Sequence, residues 1–213
     1  MGMKLYTLHT PSHQELYENY FLPSLVGEYE HYSEIRAQEC PTGSYLKPGW
    51  NMTTYRKAQF FLEKVKENYG ITIVFSDVDI QFLGPTKELL LEELGDYDIA
   101  AQDDTQDMMC SGFFICKCND ATVNMFTEMV NNFFKVHEAE DQKALNNHRH
   151  MVKWKYLSHR FFTIKHTLGR VWDGEMDIVV PSDIVMHHAN WTISVSNKMA
   201  LLGLVKSKFY SHG

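Results

Sequence analysis

The first half of the chain alternates between short apolar runs and longer stretches with apolar residues at helical spacing. The runs at residues 4–9 and 71–75, together with the loosely alternating residues 28–36, predict three strands. The run at 71–75 is of the kind found in a strand buried on both faces. Because helical stretches separate these strands, the order predicts a parallel, doubly wound beginning.

The helices between these strands have recognisable starts. Ser12 and Glu15 fit a capping box that opens a helix extending to about Leu22. Residues 38–49 contain two prolines and two glycines and predict a loop. Thr53 or Thr54 can cap the helix after that loop. The apolar residues of this helix recur at helical spacing: Ala58, Phe61, Leu62, Val65 and Tyr69.

The second half of the chain changes character along its length. Pro85 and Gly95 bound a predicted helix at residues 87–94. Further strands are predicted at 97–101 and 112–118, and helices at 121–136 and at the start of 138–150. The final third has short strand-like pieces and a closing helix: residues 154–157, 161–165, 171–172, 178–180, 184–188 and 196–205. We expect one α/β domain over residues 1–213, with a mixed central sheet flanked by helices.

Two carboxylates mark the end of the central predicted strand. Asp77 and Asp79 follow the apolar run at 71–75. In extended backbone, residues two apart point to the same side, so both carboxylates can converge on one object. Two neighbouring carboxylates repel each other unless a cation or a proton lies between them. Because open α/β sheets bind ligands outside the carboxyl ends of their strands, we expect the site here.

Composition narrows the class of protein. The chain has 213 residues, is 44% hydrophobic and carries a formal net charge of -7, which indicates an ordered globule and argues against general nucleic-acid binding. It has no apolar run of about 18 residues and no signal-peptide core at its start, so we expect a cytoplasmic protein without a membrane span. The four cysteines lack the C-x-x-C spacing of zinc or redox sites, and Cys116 and Cys118 are expected in the core.

A second group of candidate residues lies near the end of the sequence. His187 and His188 end a predicted strand, where a histidine can complete a carboxylate-rich site for Mn²⁺, which accepts imidazole more readily than Mg²⁺ does. Adjacent strand residues point to opposite faces, so only one of the two can face such a site, and a His-His pair taken alone is more often structural. Lys198, near the start of the closing helix, can meet an anionic ligand together with the helix N-terminus.

Two other classes of enzyme share single features with this sequence. Haloacid-dehalogenase phosphatases also have an Asp-x-Asp after an apolar strand, but usually on the first strand, whereas Asp77 lies more than seventy residues into this chain. A nucleotidyltransferase would need a glycine-rich basic loop after its first strand. Thr10-Pro11-Ser12-His13 does not supply one.

Taken together, four segments resemble a known family. VFSDVDIQF with its Gly-Pro turn, SGFFIC, EDQKALN, and HHANWT with a later lysine are similar to the nucleotide-sugar transferases of the GT-A fold. In particular, the chain resembles the small DxD glycosyltransferases encoded by large algal DNA viruses. The resemblance covers nearly the whole chain. It implies that Asp77, Asp79 and His188 hold Mn²⁺, with Mg²⁺ as the alternative, against the diphosphate of the donor.

The resemblance also implies which residues contact the nucleotide. The end of the first strand would line the nucleoside pocket with Thr7, Leu8, His9 and Thr10. Either Arg56 or Lys57 would supply the basic residue that such enzymes place near the nucleotide. Asp77, as a metal or ribose ligand, and Lys198 would complete this set.

For the donor sugar, the resemblance implies Ser111 and Gly112, since glycine lets the backbone approach a ligand closely. Asp141 and Gln142 would bond to sugar hydroxyls. An inverting enzyme would need a carboxylate base, with Asp103, Asp104 or Asp141 as the candidates. A retaining enzyme would need none, and the resemblance leans that way. The stretch HRFFTIKHTLG departs from the family's usual pattern, which leaves the acceptor side open.

The implied function is transfer of a hexose from a UDP-sugar to a glycan acceptor, with a metal ion stabilising the UDP leaving group. Residues 1–110 would form a nucleotide-binding half and residues 111–213 an acceptor-side half. We expect a monomer or a part of a longer multidomain protein, in the host cytoplasm if a virus encodes it. The alternative is a non-catalytic module of the same fold that binds a nucleotide-sugar or a glycan, although the intact Asp77, Asp79, His188 and Lys198 argue against it.

Overall fold

The computed structural model of the chain describes residues 2–25, 27–41, 43, 45, 47–135 and 139–211. Within these residues, the strands form one six-stranded and one three-stranded sheet. The strands are β1 Met3–His9, β2 Tyr29–Ile35, β3 Thr72–Ser76, β4 Ile80–Phe82, β5 Ile99–Asp103, β6 Met109–Lys117, β7 Trp154–Tyr156, β8 Phe161–Thr163 and β9 Met186–His188.

Helices precede, connect and follow these strands. The α-helices are α1 Gln14–Leu16, α2 Leu22–Ser24, α3 Trp50–Glu67, α4 Lys87–Leu94, α5 Asp120–Asn131, α6 Asp141–His148, α7 Lys165–Leu168 and α8 Val195–Ser211. A π-helical stretch, Tyr17–Phe21, joins α1 to α2. Short 3₁₀ turns are Pro11–His13, Phe133–Lys135 and Arg149–Met151.

The large sheet confirms the predicted architecture. Its order is β2-β1-β3-β6-β5-β7, and β1 pairs in parallel with both β2 and β3, so the beginning is doubly wound. β6 then runs antiparallel between β3 and β5, and β7 pairs in parallel with β5. The central sheet is therefore mixed, as predicted, because β6 is antiparallel to both of its neighbours.

The core lies on both faces of the large sheet. On one face, Phe75 of β3 packs with Phe61 of α3 and Phe126 of α5. On the other, Val74 belongs to the cluster that includes Leu202 of α8. Side chains alternate along a strand, so β3 is buried on both faces as predicted. The predicted core thiols of Cys116 and Cys118 are free and buried.

The small sheet, of order β4-β9-β8, brings the end of the chain to its middle. β9 pairs antiparallel with β4, and Ile80 stands opposite His188. β8 pairs in parallel with β9 on the other side, with Thr163 opposite His188. The end of β9 is thereby fixed next to the point where the chain leaves β3.

Two predicted helix starts are wrong. The long helix α3 begins at Trp50 after Gly49, and Thr53 and Thr54 lie inside its first turn, where their hydroxyls donate to the carbonyls of Gly49 and Trp50. Gly49 has a φ of 85°, and a Cβ there would lie 1.9 Å from the carbonyl oxygen of Glu39, so glycine is required. A local threonine signal cannot report that close approach.

The Ser12–Glu15 capping box does not form either. Thr10 precedes the first 3₁₀ turn without a side-chain cap bond, and the Ser12 hydroxyl bonds with Thr10 and His13 instead. Of the strand-like pieces in the final third, residues 178–180 form no strand, although all three are described, and Trp172 makes one isolated bridge to Thr192. Residues 136 and 138, the ends of two predicted segments, lie outside the described residues.

Candidate active site

The site lies where the chain crosses from the large sheet to the small one. Residues 78 and 79 form a bend between β3 and β4, so the expectation that the aspartates converge because they lie two apart in extended backbone is wrong. The carboxylates converge nonetheless. One ligand atom from each of Asp77, Asp79 and His188, which we call the metal triad, lies within 4.8 Å of the others. Asp79 and His188 are buried, and Asp77 is half-buried.

Pairing of β4 with β9 explains how His188 reaches the aspartates. Because Ile80 stands opposite His188, the Nε2 atom of His188 lies 3.3 Å from Oδ1 of Asp79. The backbone N–H of Ala189 donates to the carbonyl of Asp79 at 2.9 Å, and that of Asp77 donates to the carbonyl of Gly112 at 2.7 Å. His187 instead contacts Gln81 and Phe162. The backbone thus fixes each residue of the metal triad.

The donor set fits a divalent cation. The Nδ1 atom of His188 lies 2.8 Å from Oε1 of Gln102, which can only accept, so Nδ1 carries the hydrogen. The lone pair of Nε2 then faces a carboxylate oxygen of Asp79 at 3.3 Å, an arrangement that a cation between them would stabilise. Two carboxylates and one imidazole suit Mn²⁺, and the carboxylates alone suit Mg²⁺.

Gly112 leaves the room that this donor set needs. A Cβ on Gly112 would lie 2.5 Å from Cε1 of His188 and 2.7 Å from Oδ2 of Asp77. Any side chain here would therefore displace two members of the metal triad. The resemblance assigned Gly112 to the donor sugar, and the metal triad gives a second physical reason for glycine at this position.

A lysine stands beside each aspartate. Lys57 Nζ lies 2.7 Å from Asp77 Oδ1 and 3.0 Å from Asp141 Oδ2, and Lys198 Nζ donates to Asp79 and, at 3.2 Å, to the carbonyl of Ala189. Burial alone would lower the pKa of Lys57, but Asp141 and Asp77 raise it above its usual value. Both lysines therefore place a positive charge at the site.

The two aspartates have opposite electrostatic environments. Burial would raise the pKa of Asp79, but the Lys198 ammonium group beside it acts in the opposite direction, and the pKa lies well below its usual range. Burial raises the pKa of Asp77, and Lys57 offsets only part of this effect because Asp79 adds repulsion. Asp79 is therefore the more firmly ionised carboxylate of the metal triad and the better candidate of the two to hold a cation.

The residues assigned to the donor sugar form a connected group. The Ser111 hydroxyl donates to Oδ2 of Asp141 at 2.7 Å, and the same oxygen accepts from Lys57. Gln142 donates to Oδ2 of Asp104 at 2.7 Å and accepts from the backbone N–H of Ser111 at 3.4 Å. Lys57 thus links the metal triad to this group.

The three candidate bases differ in their surroundings. Both oxygens of Asp104 accept hydrogen bonds, from Gln142 on one side and from Asn190 and Trp191 on the other. Burial raises the pKa of Asp104 despite these bonds. Asp141 is held by Lys57 and Ser111.

Asp103 lies apart from the metal triad. Its Oδ2 atom is 3.3 Å from His159, and its carbonyl accepts from His166 at 2.9 Å. Asp103, His159 and His166, which we call the outer triad, also present ligand atoms within 4.8 Å of one another.

The residues assigned to the nucleoside line the end of β1. Thr7 bonds with His31 at 3.0 Å, and His9 bonds with Gln14 at 2.9 Å and stacks on Tyr17 at a centroid distance of 4.5 Å. Thr10 is buried, and Leu8 packs against the core cluster of α3. Of the two basic candidates, Lys57 reaches the metal triad, whereas Arg56 is 47% exposed and bonds to Gln59.

Two residues near the site were missed by the sequence analysis. Gln102 is fully buried in β5 and bonds to His188; the available signal was one polar residue inside the apolar run before Asp103. His13 follows β1 closely, and burial lowers its pKa to about 4, although Asp79 acts in the opposite direction. Nothing in the local sequence distinguished His13 from a surface histidine.

A doubly wound sheet with a buried carboxylate–histidine group at a strand end is the arrangement expected of the nucleotide-sugar transferases of the GT-A fold that the sequence resembles. The sequence profile of the nucleotide-diphospho-sugar transferases matches residues 32–202. The chain therefore belongs to the nucleotide-diphospho-sugar transferase family. None of the curated proteins matches the chain.

Solved glycosyltransferases share this fold at low identity. GlyE of Streptococcus pneumoniae superposes with a TM-score of 0.59 at 12% identity, covering 99% of this chain, which spans 64% of the GlyE chain. The galactosyltransferase LgtC, solved with donor and acceptor sugar analogues, gives 0.54 at 13% identity over 87% of this chain and 86% of that one. A glycosyltransferase involved in glycosylation of the major capsid of PBCV-1 gives a TM-score of 0.59 at 10% identity, over 96% of this chain and 100% of that one.

No helix in the described part of the chain is long and apolar enough to cross a membrane.

Proposed function

We propose that the chain transfers a hexose from a UDP-sugar to a glycan acceptor with the help of a divalent cation. The observation that carries the proposal is the metal triad, in which two carboxylates and a correctly oriented imidazole converge. Asp77, Asp79 and His188 would hold Mn²⁺, with Mg²⁺ as the alternative. A bound divalent cation supplies positive charge and Lewis acidity to the diphosphate leaving group.

The two lysines would act on the same leaving group. Lys198 lies in the first turn of α8, beside Asp79, where the helix N-terminus adds positive potential. Lys57 orients Asp77 and Asp141 through its two ion pairs. Neither residue needs to transfer a proton, because a diphosphate leaves as an anion.

The donor sugar would lie between the metal triad and α6. Asp141 and Gln142, on the first turn of α6, can accept and donate hydrogen bonds to hydroxyl groups. Ser111 and Gly112 let the backbone of β6 approach the sugar. Thr7, Leu8, His9 and Thr10 would contact the nucleoside from the end of β1.

The contacts of the candidate bases support a retaining mechanism. A base for inversion needs a carboxylate oxygen that is free to accept the acceptor's proton. Both oxygens of Asp104 accept bonds from neighbouring side chains, and Asp141 is paired with Lys57. Both oxygens of Asp103 also have partners, since Oδ1 accepts from the backbone N–H of Thr105 at 2.7 Å and Oδ2 lies 3.3 Å from His159. Asp103 would act as a base for inversion only after exposed His159 moves away from Oδ2.

The proposed partners are a UDP-sugar and a glycan or glycosylated acceptor. Residues 1–110 would supply the nucleotide side and residues 111–213 the acceptor side, either as a monomer or within a longer protein. The stretch from His159 to His166 belongs to this acceptor side.

A donor panel tests the proposal. The protein is incubated with UDP-, GDP- and dTDP-sugars and Mn²⁺, and release of free nucleotide is measured. We expect release from a UDP-hexose, and expect it to stop when EDTA removes the cation. Tight binding of a UDP-sugar without release, in the presence of glycan acceptors, would instead indicate a non-catalytic module. Release that EDTA does not change would contradict the metal-dependent mechanism.

A further inference from the structure

Two adjacent histidines of β9 each face a buried glutamine. His188 faces Gln102 of β5, and His187 faces Gln81 of β4. Both glutamines are buried, with exposures of 0% and 2%. A buried polar side chain costs free energy unless it is hydrogen-bonded, so the bonds that each glutamine makes determine its role.

The amide of Gln102 can have only one orientation. Its Nε2 atom donates to the carbonyls of Phe161 and Phe162 in β8, each at 3.1 Å. A flipped amide would place its oxygen against two carbonyl oxygens, which is repulsive. The Oε1 atom must therefore face His188, where it accepts from Nδ1 at 2.8 Å.

The two histidines consequently have opposite tautomers. In His188 the hydrogen is on Nδ1, and the lone pair of Nε2 faces Asp79. In His187 the geometry is reversed: Nε2 of Gln81, which also donates to the carbonyl of Leu202 at 2.8 Å, lies 3.4 Å from Nδ1. Nδ1 of His187 accepts, so its Nε2 carries the hydrogen, and this buried atom has no partner among the described residues.

We infer that Gln102 is the positioning residue of the metal triad: it fixes His188 in the one tautomer whose Nε2 can bind a cation. It does so from the large sheet while it bonds to the carbonyls of β8 in the small sheet, so the same side chain also holds the two sheets in register at the site. A carboxylate at position 102 would have no donor for those carbonyls when ionised. An amide satisfies both sides at once. The inference rests on the proposed metal site.

Gln102→Met tests this role because methionine keeps the length of the side chain and removes its polar atoms. Apart from the side chain at position 102, the group near Nδ1 is Cys110 Sγ at 3.7 Å, a weak acceptor. Once the amide oxygen is removed, His188 can therefore move its hydrogen to Nε2, which blocks the ligating nitrogen. We expect Mn²⁺ affinity, measured from the electron paramagnetic resonance signal of free Mn²⁺, to fall roughly 10- to 100-fold. In long-range ¹⁵N spectra without metal, the His188 ring should change from the Nδ1–H pattern to a mixture of tautomers.

Gln81→Met is the matched control. Gln81 is as buried as Gln102 and contacts His187, the neighbour of His188. Removing its amide should therefore cause a similar loss of packing. We expect Mn²⁺ affinity of this variant within about twofold of the wild type, since His187 lies outside the metal triad. Equal losses of affinity in the two variants would overturn the inference, because they would show a packing effect.

Gln102→Glu provides the conservative rescue. Burial against two carbonyl oxygens favours the protonated carboxyl group, whose O–H can donate to one carbonyl while its C=O accepts from Nδ1–H. Mn²⁺ affinity should therefore stay within about threefold of the wild type. Affinity as poor as that of Gln102→Met would overturn the inference. Asp79→Asn separates this failure from failure of the proposed function. Normal Mn²⁺ binding by Asp79→Asn would show that the proposed metal site is wrong. Loss of Mn²⁺ binding in Asp79→Asn, together with normal binding in Gln102→Met, would show that only the role given to Gln102 is wrong.

Discussion

The metal triad and the outer triad contain the same kinds of residue but differ in what surrounds them. Each brings carboxylate and imidazole atoms within 4.8 Å of one another. In the outer triad, the His159 side chain is 67% exposed and bonds directly to the Asp103 carboxylate. The rings of His159 and His166 stack nearly parallel at 4.0 Å, so their nitrogens do not point toward a common centre.

In the metal triad, by contrast, each ligand is held by a partner that is not itself a ligand. Lys57 holds Asp77, Lys198 holds Asp79, and Gln102 holds His188. Gly112 keeps the space between them free. Because its ligand atoms are oriented as well as close together, the metal triad is the better of the two candidates for a cation site.

The largest effect that separates the triads should come from Asp79→Asn. The variant loses the firmly ionised carboxylate, so calorimetry with Mn²⁺ should show UDP binding weakened roughly 100-fold or more, to the level seen with EDTA. Asp103→Asn, the same change in the outer triad, serves as the control and should bind UDP normally. If the two variants exchanged these results, the assignment of the triads would be reversed.

His188→Ala should have the next largest effect. Loss of the imidazole ligand is expected to weaken Mn²⁺-dependent donor binding roughly 30-fold while the two carboxylates remain. His187→Ala should leave binding within about twofold and should lower the free energy of unfolding by about 1–3 kcal/mol through the cavity it leaves. Thermal unfolding and calorimetry on both variants test the pair. Similar binding losses in both would contradict the opposite orientations of the two side chains.

Gly112→Ala tests the space inside the metal triad without removing a ligand. The added methyl group must displace His188 or Asp77, so we expect roughly tenfold weaker Mn²⁺ binding and a loss of about 1–3 kcal/mol in stability. Gly203→Ala in α8 is the control, because a Cβ there meets no atom within 4 Å. It should raise stability by about 0.5–1 kcal/mol and leave metal binding unchanged. Normal Mn²⁺ affinity in Gly112→Ala would show that the space has no role.

The smallest effect on metal binding should come from the outer triad. Burial lowers the pKa of His166, although its bond to the Asp103 carbonyl acts in the opposite direction. The His166 ring therefore takes up a proton more readily in the unfolded chain than in the folded one. The folding free energy that the neutral ring contributes is fully present above about pH 6.5 and is lost as the pH falls through the folded-state pKa. His166→Gln should flatten this loss in denaturant titrations from pH 7 to pH 5. It should leave Mn²⁺ binding within about twofold, and a clear loss of binding would make the outer triad a metal site.

Periodicity predicted the fold well because each element forms largely from its own residues. The apolar run at 71–75 and the helical spacing from Ala58 to Val65 give β3 and α3 directly. Helix starts failed where the deciding contact is distant. Gly49 opens α3 because the backbone of Glu39 passes close to it, and threonines that fit a cap sit one turn too late.

The members of the candidate site could be named from the sequence, but not their partners. Asp77, Asp79 and His188 carry the resemblance to the family, and the structure brings them together. The choice of Lys57 over Arg56 depends on which face of α3 meets β3. The role of Gln102 depends on its hydrogen bond to the carbonyl of Phe161, which lies 59 residues later in the chain. Contacts of this kind arise from packing between sheets, which no local pattern records.

The pairing of Ile80 with His188 also has a kinetic consequence. These residues are 108 positions apart (188 minus 80), so their contact closes a long loop and is costly to form early in folding. In the large sheet, Lys4 of β1 and Ile73 of β3 are 69 positions apart (73 minus 4), so their pairing closes a shorter loop and can form first. The proposed cation-binding residues would then meet late in folding, and a bound cation should slow unfolding while leaving the folding rate almost unchanged.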